Sequence, residues 1–205
     1  MAGGLGSTLS QYINNGQVSV INPVRTLKTN AFSWQPGDSG YLGWSFSPEL
    51  ASGTYTLATA GTVYLSRLHI PNACTVTNLH AYGTTAGNTL TSGQCFAALY
   101  DANAITKRGT TATQHTAWST AGIYTMALTT AYVATAGDYY VALWYNGTTG
   151  PTWARSGNNT VAGLTNVGFS TKFKAATADT SITTSGPTTL GTQTSFKEYI
   201  WTAVS

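Results

Sequence analysis

The strongest hydrophobic pattern in the chain lies between two turn signals, Gly137-Asp138 and Asn146-Gly147. The seven residues between them, 139–145, are all apolar and rich in aromatic and β-branched types, as in a buried β-strand. Strand alternation separates them into two sets: Tyr139, Val141, Leu143 and Tyr145 on one face, and Tyr140, Ala142 and Trp144 on the other. Because neither face is polar, we expect the fold to cover one of them, and a loop, a partner subunit or a ligand to cover the other.

Shorter runs of the same kind recur through the rest of the chain, separated by Gly, Pro, Asn and Asp. The predicted strands are 54–58, 62–70, 74–82, 94–100, 118–128, 137–145, 152–155, 167–173 and 196–204. Their spacing is near ten residues, and no stretch has the pattern of an amphipathic helix. The pattern therefore predicts an all-β fold, a jelly-roll-like β-sandwich, over residues 41–205.

Residues 1–40 have a different pattern, in which Gly, Asn-Gly, Asn-Pro and Pro-Gly signals interrupt the chain too often for a packed element. Their spaced apolar side chains indicate an extended N-terminal arm that must dock on another surface. That surface is either the domain that follows or another protein, and we favour another protein, since assembly subunits use such arms to hold their neighbours. The predicted partner-anchoring residues are Tyr12, Ile13, Val18, Val20, Ile21, Leu27, Phe32 and Trp34.

Charged residues make up only 7% of the chain, against about 25% in an ordinary soluble domain. This scarcity favours a surface that is largely packed in an assembly. The nine basic residues are scattered and form no stripe with interleaved aromatics, so nucleic acid is not an expected partner. The N-terminus lacks the pattern of a secretory signal, and no run approaches the ~20 apolar residues of a membrane helix. We therefore expect synthesis in the cytoplasm without a signal peptide, and no membrane insertion.

The residues that could carry chemistry form no recognisable catalytic constellation. There is no Gly-x-Ser-x-Gly elbow, and the six acidic residues include no evident catalytic pair and no Asp-x-Asp cluster for calcium. His69, His80 and His115 are expected to be structural, although His69 and His80 fall on consecutive predicted strands and could be neighbours. Cys74 and Cys95 could pair, but we favour free thiols in separate apolar runs. The sequence thus predicts no catalytic residue, no metal and no cofactor.

Aromatic side chains are numerous, with six Trp, twelve Tyr and six Phe. Such residues suit sugar platforms and protein interfaces as well as cores. Four of them lie on or beside predicted strand ends and loops, and could contact a glycan or a neighbouring subunit: Trp118, Trp144, Tyr145 and Trp153. The alternative is that these four are core and loop-anchoring residues.

Four stretches, 62–71, 75–80, 90–101 and 136–144, give the chain a resemblance to a known module. It resembles the β-sandwich module of virion surface proteins, of the minor tail or head decoration type, in tailed phages that infect actinobacteria. The resemblance covers about 54–205 and does not extend to 1–53. Related modules lie at the distal ends of longer tail proteins, which implies attachment to the host surface. Here the module follows only a short arm, which leaves a head decoration or head-fibre subunit as a second implied role.

The sequence therefore predicts a non-enzymatic structural protein on the surface of a tailed-phage virion, anchored to the capsid or tail by its arm. The expected partners are other virion proteins and further copies of the chain, as a homo-oligomer. A trimer is the state we expect, because the strand at 139–145 is apolar on both faces. The alternative is a carbohydrate-binding adhesion module that contacts a glycan of the host cell envelope.

Overall fold

The computed structural model describes residues 34–103, 105–157 and 161–205. The chain divides between Asp38 and Ser39, and residues 39–205 form one compact unit. The boundary predicted from the sequence, at 40/41, lies two residues further along. The prediction of an all-β sandwich is confirmed, because antiparallel sheets make up this unit.

The strands of the described residues are β1 Gly43–Trp44, β2 Ala51–Thr56, β3 Val63–Ile70, β4 Cys74–Thr85, β5 Asn88–Leu90, β6 Phe96–Asp101, β7 Lys107–Thr110, β8 Gly122–Ala134, β9 Gly137–Trp144, β10 Gly147–Thr149, β11 Thr152–Ser156, β12 Ala175–Ala178, β13 Thr194–Ser195 and β14 Thr202–Val204. The helical elements in the same residues are one turn of α-helix, Ala162–Thr165, and 3-10 turns at Pro36–Ser39, Pro48–Leu50 and Ala117–Ser119.

Two six-stranded sheets form the sandwich, and every pairing within them is antiparallel. In the first, sheet A, the central strand β4 pairs with β8 along one edge and with β14 and then β11 along the other. Strands β1 and β2 extend this sheet beyond β14 and β11. In the second, sheet B, the order is β13-β12-β3-β9-β6-β7. Strands β5 and β10 form a small separate ladder.

The main core lies between the inner faces of the two sheets. Strand β9 contributes the alternating set that begins at Tyr139, and these side chains pack with residues such as Leu79 of β4 and Met126 of β8. The predicted alternation of β9 is therefore the one found in the fold. Apolar side chains of this size each stabilise the folded state by about 1.5–3 kcal/mol when they are fully buried.

The outer face of sheet B is also apolar, and the chain itself covers it. The residues buried there include Tyr100, Tyr140 and Trp144, which pack with Leu190 and the partly buried Ile182. Residues 182–191 run across this face as a covering loop, and we call them the cover loop. Because the chain buries both faces of β9, this strand gives no reason to expect a trimer, and the oligomeric state stays a prediction without that support.

Three of the predicted strands differ from the structure. The strand predicted at 196–204 is present only at Thr202–Val204, and before it the chain makes a single isolated bridge, from Ile200 to Arg155. The other two differ for local backbone reasons. Residues 167–173 form turns instead of a strand, since Gly168 (φ +83°) and Lys172 (φ +53°) have left-handed backbone conformations that an extended chain cannot contain. The strand predicted at 118–128 begins only at Gly122 and runs on to Ala134, because residues Ala117–Ser119 form a 3-10 turn.

Candidate functional site

The four aromatic residues proposed from the sequence as a contact surface are buried. Trp118 and Trp153 pack edge to face in the main core, with ring centroids 5.2 Å apart, and Tyr145 belongs to the same core. Trp144 lies under the cover loop and donates from Nε1 to the carbonyl of Thr184 at 3.0 Å. The expectation of an exposed platform built from these residues is therefore wrong. They are core and loop-anchoring residues, which was the alternative.

Most of the predicted partner-anchoring residues lie outside the described residues: Tyr12, Ile13, Val18, Val20, Ile21, Leu27 and Phe32. Trp34 is described, and its side chain is exposed. The anchoring role of this segment stays a prediction.

An open groove lies on the outer face of sheet A, and we call it the sheet A groove. It encloses about 740 Å³, and its lining includes Tyr41, Ser52, Thr54, Tyr82, Ile123 and Trp201. Among the residues that the structure describes, no charged side chain lines it. Tyr82 and Ile123 are 46% and 52% exposed, large fractions for apolar side chains on a sheet face. The groove thus combines exposed apolar surface with neutral hydroxyl groups.

The pairing of β4 with β8 places the two exposed residues side by side. Tyr82 is in register with Ile123, and both point away from the core because their neighbours along each strand, Ala81 and Tyr124, point into it. Gly83, next to Tyr82, has to be glycine: a Cβ there would lie 2.5 Å from the ring of Tyr124. The close approach of Tyr124 to the backbone fixes this end of the groove.

A cluster of aromatic side chains closes the other end of the groove. Trp201 packs there with Ala154 and Ala203, and the partly buried Tyr41 contacts it at a centroid distance of 5.9 Å. Tyr41 also meets the ring of His80 edge-on at 4.9 Å. Burial lowers the pKa of His80, which keeps this imidazole neutral beneath the groove. The Nε1 of Trp201 is buried without a hydrogen-bond partner in the described part of the chain.

A buried ion pair holds the rim strand β2 in place. Arg155 lies 2.8 Å from Glu198 through its Nε and donates to the carbonyls of Thr54 and Gly157. Both charged groups are almost fully buried, and breaking such a pair on one side leaves an uncompensated charge. This arrangement is structural: it joins β2, β11 and the segment before β14.

A second, smaller recess contains a cluster of charged and titratable side chains. Arg67 and His69 of β3 both contact Asp138 of β9, the histidine through Nδ1 at 2.8 Å. The structure places the imidazole of His80 in the other sheet, where it lies 2.8 Å from the Oγ of Ser205. His69 and His80 therefore have separate partners, although they lie on consecutive strands.

The other side chains that could react or bind a metal lie apart from one another. Cys74 and Cys95 are both free thiols, and burial raises the pKa of each. Among the described residues, no group of three or more His, Cys, Asp or Glu side chains could hold a metal ion. The same residues contain no helix with the length and apolar character of a membrane span.

The residues of the sheet A groove were not predicted from the sequence. The available signal was the alternation on β4, which sets Tyr82 opposite to the buried Leu79 and Ala81. This alternation alone does not reveal the groove, because the groove also depends on β8, which places Ile123 beside Tyr82. The spacing of residues in the sequence does not give the register between β4 and β8.

Comparison with known proteins adds no relative to this description: no protein-family model matches the chain, and no curated protein matches it.

Proposed function

We propose that this chain is a non-enzymatic structural protein displayed on the surface of a tailed-phage virion. Residues 1–40 anchor it to the capsid or the tail, and the sandwich projects outward. Other virion proteins are its partners, and it acts as a head decoration or fibre subunit or as a minor tail protein.

The observation that carries the proposal is a self-contained sandwich that buries both faces of β9, an inner strand of sheet B. The stretches that resemble phage virion modules contain or lie within β3, β4, β6 and β9. Three of these, β3, β9 and β6, are consecutive neighbours in sheet B, and β4 is the central strand of sheet A. The resemblance thus falls on the framework of the module, where a shared fold would be encoded, and this supports the proposal.

Co-sedimentation with particles of the encoding phage tests the anchoring role. We expect the full chain to sediment with capsids or with tails, and a variant lacking residues 1–40 to stay in the supernatant. A cooperative thermal transition of the shortened variant is the control, since residues 39–205 form their own compact unit. Equal sedimentation of both proteins, or of neither with any particle, would contradict the proposal.

A second candidate function, glycan binding in adhesion to the host envelope, is favoured by the sheet A groove. Its exposed Tyr82 offers an aromatic face for a sugar ring, with Ser52 and Thr54 hydroxyls nearby. The absence of charge in its lining suits a neutral saccharide. The groove would then be the surface that attaches to the host, the role implied by the resemblance to tail-protein modules.

Titration of the full chain with purified host cell-wall polysaccharide tests this candidate. We expect a change in tryptophan fluorescence, because Trp201 lines the groove. Replacement of Ile123 by Ala should weaken binding several-fold, by about the transfer free energy of the lost methylenes. The matched control is Val133→Ala on the same strand, which removes an even more exposed side chain outside the groove lining. Unchanged fluorescence, or equal affinities of the two variants, would count against glycan binding here.

A further inference from the structure

The charged recess beside β3 has the features of a small ligand site. Strand β12 pairs with β3 only from Val63 to Ser66, so the last residues of β3 extend past it. Where they extend, a cleft of about 380 Å³ opens among β3, β9, the segment around β1 and the turn at Phe169. We call it the β3 cleft. Its volume falls at the lower end of ligand pockets, roughly 300–1,000 Å³, which suits one ring of a saccharide, with any further rings of a chain lying outside the cleft.

Positive charge prevails in the β3 cleft. Arg67, Lys174 and His69 line it, and Asp138 is its acidic residue. Arg67 and Lys174 thus set two cations against one carboxylate, with the imidazole of His69 beside them. Arg67 and His69 also lower the pKa of Asp138, against the opposing effect of its burial, so the carboxylate stays ionised and fully engaged by its two neighbours.

Lys174 has a free charge in this setting. Its Nζ lies 5.5 Å from the ring centroid of Phe169, and no carboxylate of the described residues pairs with it. Arg67, in contrast, is held in position by Asp138 and by the carbonyl of Lys172, which accepts from Nη1 at 2.7 Å. A fixed guanidinium beside an unpaired ammonium forms a receptor for an anion, because the fixed group needs no reordering when the anion binds.

Aromatic side chains form the walls of the same cleft. Phe169 lies against Arg67, whose Cζ is 5.0 Å from its ring centroid. Phe46 and Tyr199 pack together at 5.1 Å on the other side, and Trp44 completes the lining. The Tyr199 hydroxyl is already used, since it donates to the carbonyl of Ser45 at 2.6 Å. The walls therefore offer apolar ring faces, and Arg67 and Lys174 are the groups that can bind the polar part of a ligand.

We propose that the β3 cleft binds an acidic sugar, with its carboxylate or phosphate group between Lys174 and Arg67 and its ring against the aromatic walls. Charge complementarity selects the anion, and the aromatic walls select a ring with apolar faces. Nucleic acid is disfavoured, because it requires a long stripe of positive charge. This site is separate from the sheet A groove, and the inference does not depend on the proposed function.

Calorimetric titration of the full chain with three probes tests the inference: trigalacturonate for the carboxylate, glucose 6-phosphate for the phosphate ester, and maltotriose as the neutral sugar. We expect one or both acidic probes to bind, more weakly as salt is added, and maltotriose not to bind. Binding of trigalacturonate alone would assign a carboxylate ligand, and binding of glucose 6-phosphate alone a phosphate ester.

A pair of lysine variants locates the site. We expect Lys174→Ala to weaken binding of the acidic probe about tenfold, the equivalent of one charge-assisted hydrogen bond. Lys197→Ala removes the same charge outside the cleft and should leave the affinity unchanged, and both variants should melt like the parent chain. Equal affinities of the two variants would overturn the inference, as would equal binding of maltotriose or no binding of either acidic probe at millimolar concentration.

Discussion

The two outer faces of this sandwich begin from similar sequence patterns and end in different states. Strand β9 sends Tyr140 and Trp144 outward from sheet B, and strand β4 sends Tyr82 outward from sheet A. The first two side chains are fully buried, whereas Tyr82 is nearly half exposed. The difference comes from a segment far along the chain: the cover loop crosses sheet B, and over the sheet A groove no described segment does the same.

The cover loop is held by specific bonds as well as by apolar contact. The Tyr100 hydroxyl donates to the carbonyl of Pro187 at 2.8 Å, and Trp144 bonds to Thr184. Gly186 lies directly on the Trp144 ring, where a Cβ would approach to 2.8 Å, and its φ of +82° suits glycine. An outward aromatic residue is therefore part of the core or part of a surface according to whether a distant loop has the sequence to cover it.

Removal of the large side chain beneath the cover loop should have the largest effect. We expect Trp144→Ala to lower the free energy of unfolding by about 3–5 kcal/mol, because it leaves a cavity and removes the bond that fixes the loop. Urea denaturation followed by circular dichroism measures this change. A loss below about 1 kcal/mol would show that the face is not tightly covered.

A substitution in the cover loop itself should have a smaller effect. Gly186→Ala places a methyl group against the Trp144 ring and forces alanine into a left-handed conformation, and we expect a loss of about 2 kcal/mol. Gly93→Ala is the matched control, since its φ of +74° imposes a similar backbone cost but a Cβ there meets no atom within 4 Å. The two unfolding free energies should differ clearly; equal losses would mean that the loop does not press on Trp144.

The open face should show a pH dependence that arises from His80. Because burial lowers its pKa in the folded state, the unfolded chain binds the proton first as pH falls. Stability should therefore decline as the pH is lowered through the ordinary histidine value of 6.5, and level off below the folded-state pKa. His80→Gln should flatten this part of a profile of unfolding free energy against pH. A variant with an unchanged slope would remove His80 as the cause.

The smallest effect is expected at the exposed aromatic residue of the groove. Tyr82→Ala should change the free energy of unfolding by no more than about 0.5 kcal/mol, because the side chain is half exposed and outside the core. Thermal unfolding of the variant and the parent chain measures the difference. A loss of several kcal/mol would mean that Tyr82 is packed like Trp144, and the contrast between the faces would disappear.

The sequence was sufficient to predict the sandwich and the alternation of β9, since both follow from local periodicity. It could not indicate that Trp144 is covered, because the covering residues lie about forty positions further along the chain and are mostly Thr, Ser, Gly and Pro, with Ile182 and Leu190 as the only large apolar side chains among them. The groove was missed for the same reason. Tyr82, Ile123 and Trp201 come from three separate strands or their flanks, and only the tertiary register brings them together.

The charged residues of the β3 cleft could not be grouped from the sequence either. Arg67 and His69 are two positions apart, which predicts a shared strand face, but Asp138 and Lys174 join them only through the pairing of β9 and the path of the chain into β12. Arg67, Asp138 and Lys174 lie far apart in a nearly uncharged sequence. Folding brings these three charges together in one recess, with the imidazole of His69.

Hydroxyl-radical footprinting of the native full chain tests the contrast between the two faces most directly. We predict rapid oxidation of Tyr82 and Ile123 and strong protection of Tyr100, Tyr140 and Trp144, with the protection of all three lost in urea. Oxidation of Trp144 at a rate near that of Tyr82 in the native protein would contradict the account, because the outer face of sheet B would then be open as well.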